Sequence, residues 1–396
     1  MLFHPPSHEP LIEERWTDSR ARRAILDIVH DAEAAFAGER LWPTHPLDEI
    51  DSTEPLTSLY FGASGVISAL DALARAGLAE LSRNWTSVAL GLHERYLAAP
   101  DFAELVGGPV PSLLMGEAGI LLLAHRLAPA GWQEDRSLNA VLANVENPFR
   151  ELMWGSPGTM LAARAMFERT GREEFAEAWR ESARWLLDEW RDDLWLQDLY
   201  GRPVHVLGPA HGFAGNVYAL TSGELLDSAH RAEVERRAVT VTRKYAQREG
   251  ALAQWPAALE RRPERSSEVR TQWCHGAPGI VASLAGIARG NDEFTELLVA
   301  GGELVWTAGP LVKGPGLCHG TAGNAYAFLK LFERTGDELW LSRAQAFAMH
   351  AIDQVERTRN ELGRGRYTLW TGDLGTALFL SSCIEPRTGM PTLDSH

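Results

Sequence analysis

The chain has 396 residues, 45% of them hydrophobic and 23% charged, enough for one large domain or two ordinary ones with a sizeable core. Its 38 basic and 53 acidic residues leave a net charge of −15, which argues against nucleic acid or an anionic membrane as the main partner. No secretory leader and no integral membrane span are expected, and three cysteines without an even framework point to a reducing, cytoplasmic setting.

Residues 1–50 begin polar and proline-rich, then predict a helix over Asp18–Phe36, with Ala24, Ile25, Ile28, Val29, Ala32 and Ala35 near helical spacing. Trp42-Pro43 and His45-Pro46 end it. This segment is expected to be a lead-in packed on the main body, residues 51–396, which form a single domain. There one pattern recurs: Gly-x-x-Gly, then an apolar helical run. The copies begin at Gly62, Gly116, Gly155, Gly212, Gly276, Gly320 and Gly372. A helical hairpin of two ordinary helices and two turns takes roughly 35–50 residues, so each repeat is expected to be one hairpin.

The runs after the motifs are apolar nearly all round, as in Ile120-Leu-Leu-Leu-Ala and Ile280-Val-Ala-Ser-Leu-Ala, and belong in an inner layer. The stretches between them are amphipathic. Arg172–Trp190 carries Phe175, Ala176, Trp179, Ala183, Leu186, Leu187 and Trp190 on one side, which suits an outer layer. The expected fold is all-α: an α/α toroid of seven inner and seven outer helices. Glycine at each helix start lets neighbouring inner helices and their loops approach closely.

The chemistry gathers in the two residues before each first glycine. The first three copies have apolar pairs there: Tyr60-Phe61, Leu114-Met115 and Met153-Trp154. The next three read Ala210-His211, Cys274-His275 and Cys318-His319. If the repeats close a ring, all motifs face one end and these residues share one mouth. Two thiolates with imidazole suit zinc, and three protein ligands keep a fourth position for substrate. Cys274, Cys318 and one histidine are the expected set; spacing leaves the choice of histidine open. Two thiolates offset the charge of Zn²⁺, so such a centre suits holding a thiol as a nucleophilic thiolate better than hydrolysing peptides. No His-Glu-x-x-His helix is present. His211 is a candidate acid or base, Glu151 a candidate acid/base group, and Arg270 a candidate for binding a carboxylate or steadying an enolate. Lys313 stands five residues before Cys318, in a chain whose other lysines are Lys244 and Lys330 alone. Cys383 stands apart and is given no role.

With the sevenfold Gly-x-x-Gly pattern, Ala210-His211-Gly212, Trp273-Cys274-His275-Gly276 and Cys318-His319-Gly320 resemble the lanthionine synthetase C-like family. The wording of the last two is especially close to its eukaryotic members. The resemblance covers about residues 55–385. It implies the toroid, and zinc on Cys274, Cys318 and His319. It also implies addition of a thiol, either a peptide cysteine or glutathione, to dehydroalanine or dehydrobutyrine residues in a peptide or protein, giving a thioether. Position 211 matches the family's catalytic histidine, Arg270 an arginine of the bacterial cyclases, and Lys313 a lysine associated with glutathione binding. Where the cyclases have an aspartate shortly before the third motif, this chain offers Glu151. His275 holds a place that is often tyrosine in the cyclases and is counted with the catalytic group. The alternative is a non-catalytic module that binds zinc and a thiol or glutathione. A carbohydrate-active α/α barrel fits less well, since those use paired carboxylates.

Overall fold

Each of the seven Gly-x-x-Gly units opens a helix, and in every case the first glycine is its N-cap. The computed structural model describes residues 1–50, 52, 54–260 and 269–394. After α1 (Asp18–Ala34), inner and outer helices alternate along the chain. They are α2 (Ala63–Arg75) and α3 (Thr86–Ala98), then a single-turn α4 (Ala103–Val106), then α5 (Glu117–Leu127) and α6 (Gly131–Ala143), α7 (Ser156–Thr170) and α8 (Glu173–Asp188). A short antiparallel hairpin, β1 (Gln197–Asp198) and β2 (Pro203–Val204), precedes α9 (Phe213–Thr221) and α10 (Ser228–Tyr245). A second hairpin, β3 (Gln247–Glu249) and β4 (Leu252–Gln254), leads on to α11 (Ala277–Leu284) and α12 (Asp292–Ala308). The chain continues through α13 (Thr321–Thr335), α14 (Glu338–Leu362) and α15 (Asp373–Ile384).

The seven helices that follow the glycine motifs form a closed inner ring. Each packs on the next, from α2 through α5, α7, α9, α11 and α13 to α15, and α15 packs back on α2. The residue patterns explain which layer each helix takes. All of α11 is buried, whereas α8 buries Phe175, Ala176, Trp179, Ala183 and Leu186 and leaves its acidic side outside. Burying each of Ile280, Val281 and Leu284 contributes about 1.5–3 kcal/mol relative to exposure. The outer partner of α15 is α1, which also touches α14. The lead-in therefore supplies the seventh outer helix. Among the described residues no helix is long and apolar enough to cross a membrane.

The ring narrows at the motif end. There, the residues two places before the first glycines hydrogen-bond to one another through their backbones. Tyr60 N donates to Leu114 O at 2.9 Å, Met153 N to Ala210 O at 3.2 Å, and Cys274 N to Cys318 O at 3.0 Å. Cys318 N donates to Trp370 O at 2.8 Å, and Trp370 N to Tyr60 O at 3.3 Å, across the seam between last repeat and first. The second glycine of each unit makes this possible. A Cβ on Gly279 would overlap the Trp273 carbonyl and the Pro209 ring of the preceding repeat; one on Gly65 would overlap the Leu59 carbonyl and Leu369. Beneath this layer the C-terminal segment fills the lumen. Met390 and Leu393 lie with Leu152, Pro209, Tyr218 and Trp273, and Arg164 Nη2 holds the Leu393 carbonyl at 3.2 Å.

Gly279→Ala is expected to lose about 1–3 kcal/mol or more, because no flexible side chain can give way. Gly91→Ala, mid-α3 with open space at its Cβ, is expected to gain about 0.5–1 kcal/mol. Denaturant midpoints of the two variants measure both.

Candidate metal centre

Cys274, Cys318 and His319 sit on the loops that open α11 and α13, and the ring closure brings them together. Their sulfur and nitrogen atoms all lie within 4.8 Å of one another. One ion with bonds of about 2.3 Å to sulfur and 2.0–2.1 Å to nitrogen spans such a set, and the donors suit zinc. Both cysteines are buried. Gln272 Nε2 donates to the Cys274 sulfur at 3.0 Å, and the Tyr60 hydroxyl is hydrogen-bonded to that of Cys318. The two cysteine side chains are hydrogen-bonded to each other. The hydrogen bond from Cys318 lowers the Cys274 pKa, helped by Gln272 and by the charges of His211 and Arg270. The same bond, with burial, raises Cys318. Burial first, then Lys313 and Arg366, lower His319 to about 4. It is neutral near pH 7, with a lone pair for a metal.

Glu151 and His211 form the second half of the mouth. The loop before α7 bends Glu151 back over its own amides: Trp154 N donates to Oε1 at 2.6 Å and Met153 N to Oε2 at 3.0 Å. His211 Nδ1 donates to the same Oε2 at 2.8 Å. Glu151 has no solvent exposure, so its charge is carried by hydrogen bonds. Burial would lower the His211 pKa, but the hydrogen bond and charge of Glu151, with Cys274, raise it above 6.5 overall. Bonding at Nδ1 leaves Nε2 for proton exchange.

His275 lies between the halves, its ring centroid 6.2 Å from that of His211. Its buried Nδ1 has no protein partner, which marks a group able to meet a ligand. Burial, then the charges of His211, Arg270 and Lys313, lower its pKa well below 6.5. Arg270 is half-buried and Lys313 exposed. Both act on the centre by charge: Arg270 on Cys274 and His275, Lys313 on Cys318 and His319. Cys383 is buried away from the cluster.

Sequence reasoning missed several neighbours. Tyr60 reads as part of an apolar pair, yet it holds in repeat one the place that the cysteines hold in repeats five and six. That equivalence was the available signal. Gln272, adjacent to Trp273-Cys274, carried none. Asp48 of the lead-in accepts from Arg366 Nε at 2.8 Å and from Thr371 Oγ1 at 2.7 Å. Asp48 and Arg366 both act on His319 by charge; no spacing rule joins residues so distant in sequence.

Comparison with known proteins bears on the family and the fold. A family model described as lanthionine synthetase C-like protein matches residues 51–392. The glutathione S-transferase LANCL1 of Danio rerio is 31% identical over 195 residues, 48% of this chain and 45% of that protein. The LanC-like protein GCL1 of Arabidopsis thaliana is 39% identical over 122 residues, 29% of this chain and 28% of that protein. The chain thus spans less than half the length of these curated relatives. Among solved structures, nisin cyclase superposes with a TM-score of 0.58 at 17% identity, covering 84% of this chain and 89% of its own. At that identity the likeness is one of fold.

The purified protein is expected to carry about one equivalent of zinc. Cys318→Ser should lose most of it and Cys383→Ser none, as read by metal analysis with a colorimetric chelator. Glu151→Gln is expected to drop the His211 pKa, since the raising partner is gone and burial remains; NMR titration of the imidazole reads this. Because folding raises His211 above 6.5, the stabilisation from the pair is complete below that pH. It is lost as pH climbs through the folded value, and Glu151→Gln should flatten this dependence.

Proposed function

The chain belongs to the lanthionine synthetase C-like family, and from that premise we propose that it adds a thiol to dehydroalanine or dehydrobutyrine residues of a peptide or protein, forming a thioether. The observation that carries this reading is the meeting of Cys274, Cys318 and His319 within 4.8 Å, at the same end of the ring as the Glu151–His211 pair. Zinc is the ion these residues fit, and when bound it keeps an incoming thiol ionised near neutral pH.

The remaining work falls to this chain's own side chains. As the sulfur bonds to the β-carbon, the π pair of the double bond moves onto the α-carbon and its carbonyl as an enolate. Arg270 and His275 are the groups assigned to that developing charge. His211 Nε2 delivers a proton to the α-carbon, and Glu151 holds the imidazole in the tautomer and orientation that allow it. The thiol proton lost on ionisation and the proton gained at the α-carbon balance, so the net change is addition of S–H across C=C. His211 is reprotonated from solvent.

Glutathione is the favoured thiol. One similar protein bears the name glutathione S-transferase, and Lys313, an exposed cation whose charge acts on Cys318 and His319, is assigned to a carboxylate of that thiol. A reducing cytoplasm, where thiols persist, is the setting in which this chemistry has substrate.

Incubation of the zinc-loaded protein with glutathione and a dehydroalanine peptide should yield the adduct by mass spectrometry. His211→Asn should slow the rate by about 10²–10⁴, Cys274→Ala should abolish it, and Cys383→Ser should leave it intact. No adduct with any thiol removes the proposal.

A further inference from the structure

The β1–β2 hairpin is joined by Tyr200-Gly201. Both residues have positive φ, 58° and 73°, and Leu199 and Arg202 exchange backbone hydrogen bonds of 2.9 and 3.2 Å. This is a type I′ turn, whose first central position favours asparagine, aspartate or glycine. A bulky aromatic residue is disfavoured there, because its Cβ crowds the backbone in the left-handed region.

Three contacts hold Tyr200 in place nonetheless. Trp154 Nε1 donates to its hydroxyl oxygen at 3.0 Å. The Phe149 ring meets it edge-on, with centroids 5.8 Å apart, and the Trp154 ring stands nearly perpendicular at 6.4 Å. The backbone N–H of the same Trp154 donates to Glu151. Tyr200 is thus tied through one residue to the Glu151–His211 pair. Burial, and the charge of Glu151 against the Trp154 bond, raise its phenol pKa.

These contacts do not bury the residue. Tyr200 is 46% exposed, and Leu196 at the base of the hairpin is 44% exposed. Asparagine would close the turn with less strain and would need no scaffold. Strain kept at a fixed, half-exposed aromatic beside a candidate acid–base pair fits a residue that meets a ligand.

We propose that Tyr200 is a specificity-determining residue for the acceptor, its exposed ring packing against the peptide that presents the dehydroamino acid. The inference rests on the reaction proposed above. A dehydroamino acid is planar and conjugated with its flanking amides, so the C=C and the adjoining peptide planes present one flat π face, with the polar N–H and C=O groups at its edges. An aromatic ring recognises such a face through dispersion and burial of area.

The test uses full-length, zinc-loaded protein, a dehydroalanine-containing peptide and glutathione. Tyr200→Asn should keep a native melting temperature and zinc content but raise the peptide KM about five- to tenfold, with a smaller effect on kcat. Tyr200→Phe keeps the ring and should hold KM within about twofold of the parent. If the parent forms adduct and Tyr200→Asn does so with the same KM, the assignment falls and the reaction stands. If Tyr200→Asn no longer folds, or Tyr200→Phe is as impaired as Tyr200→Asn, the residue serves the hairpin or its Trp154 bond, and the assignment again falls. If the parent forms no adduct with any thiol, the reaction fails and takes the assignment with it.

Discussion

The structure depends on how closely backbone can approach backbone at the narrow end of the inner ring. Each second glycine lies where a Cβ would strike the carbonyl six residues before it, and most lie against a side chain of the neighbouring repeat. Removing that atom lets each pre-helix loop fold over the start of its own helix and reach the next loop by hydrogen bonds. The bond from Cys274 N to Cys318 O, at 3.0 Å, shows the consequence. Two cysteines 44 positions apart by number are held at adjacent stations by the backbone, before any metal chemistry is considered. A binding site organised this way loses little conformational entropy when occupied.

Burial at this end sets the electrostatics. His319 and His275 are kept neutral mainly by desolvation, reinforced by nearby cations. His211 lies in the same buried layer and is pushed the other way, because Glu151 accepts from its Nδ1. Three imidazoles within one mouth therefore divide into two held below the ordinary histidine range, His319 in the cysteine cluster and His275 with an unpartnered nitrogen, and one, His211, held above it. The difference between them is one carboxylate, itself stabilised by two backbone amides.

Much of this was legible in the sequence because the repeat is a geometric statement. Equal places in equal repeats face the same end, so Cys274 and Cys318 could be paired without any finger-like spacing. The same logic covered the inner helices, whose all-round apolar runs follow the glycines. What stayed hidden depends on tertiary paths. That α1 covers α15 follows from the ring having to close where the chain begins and ends, and no local pattern states it. The Tyr60 hydroxyl reaches Cys318 across the seam between repeats one and seven, and Asp48 reaches Arg366 from the lead-in. Each pairs the two ends of the chain, the relation least visible to reading by local period.

The C-terminal segment extends this argument to the floor of the centre. Met390 and Leu393 pack under Trp273 and Pro209, and Trp273 immediately precedes Cys274 and leans on Trp370, with centroids 4.7 Å apart. Asp394 is held by Tyr218 and Lys330, from two inner helices. An open toroid would expose these apolar undersides to water along its axis, and water there would weaken every charge interaction above it. By packing residues 390–394 into the lumen, the chain gives the layer of cysteines and histidines a closely packed, largely apolar support. The low dielectric that neutralises His319 and His275, and that makes the Glu151–His211 bond effective, is then a property of the closed ring and its plug together, with first and last helices as necessary to it as the motifs themselves.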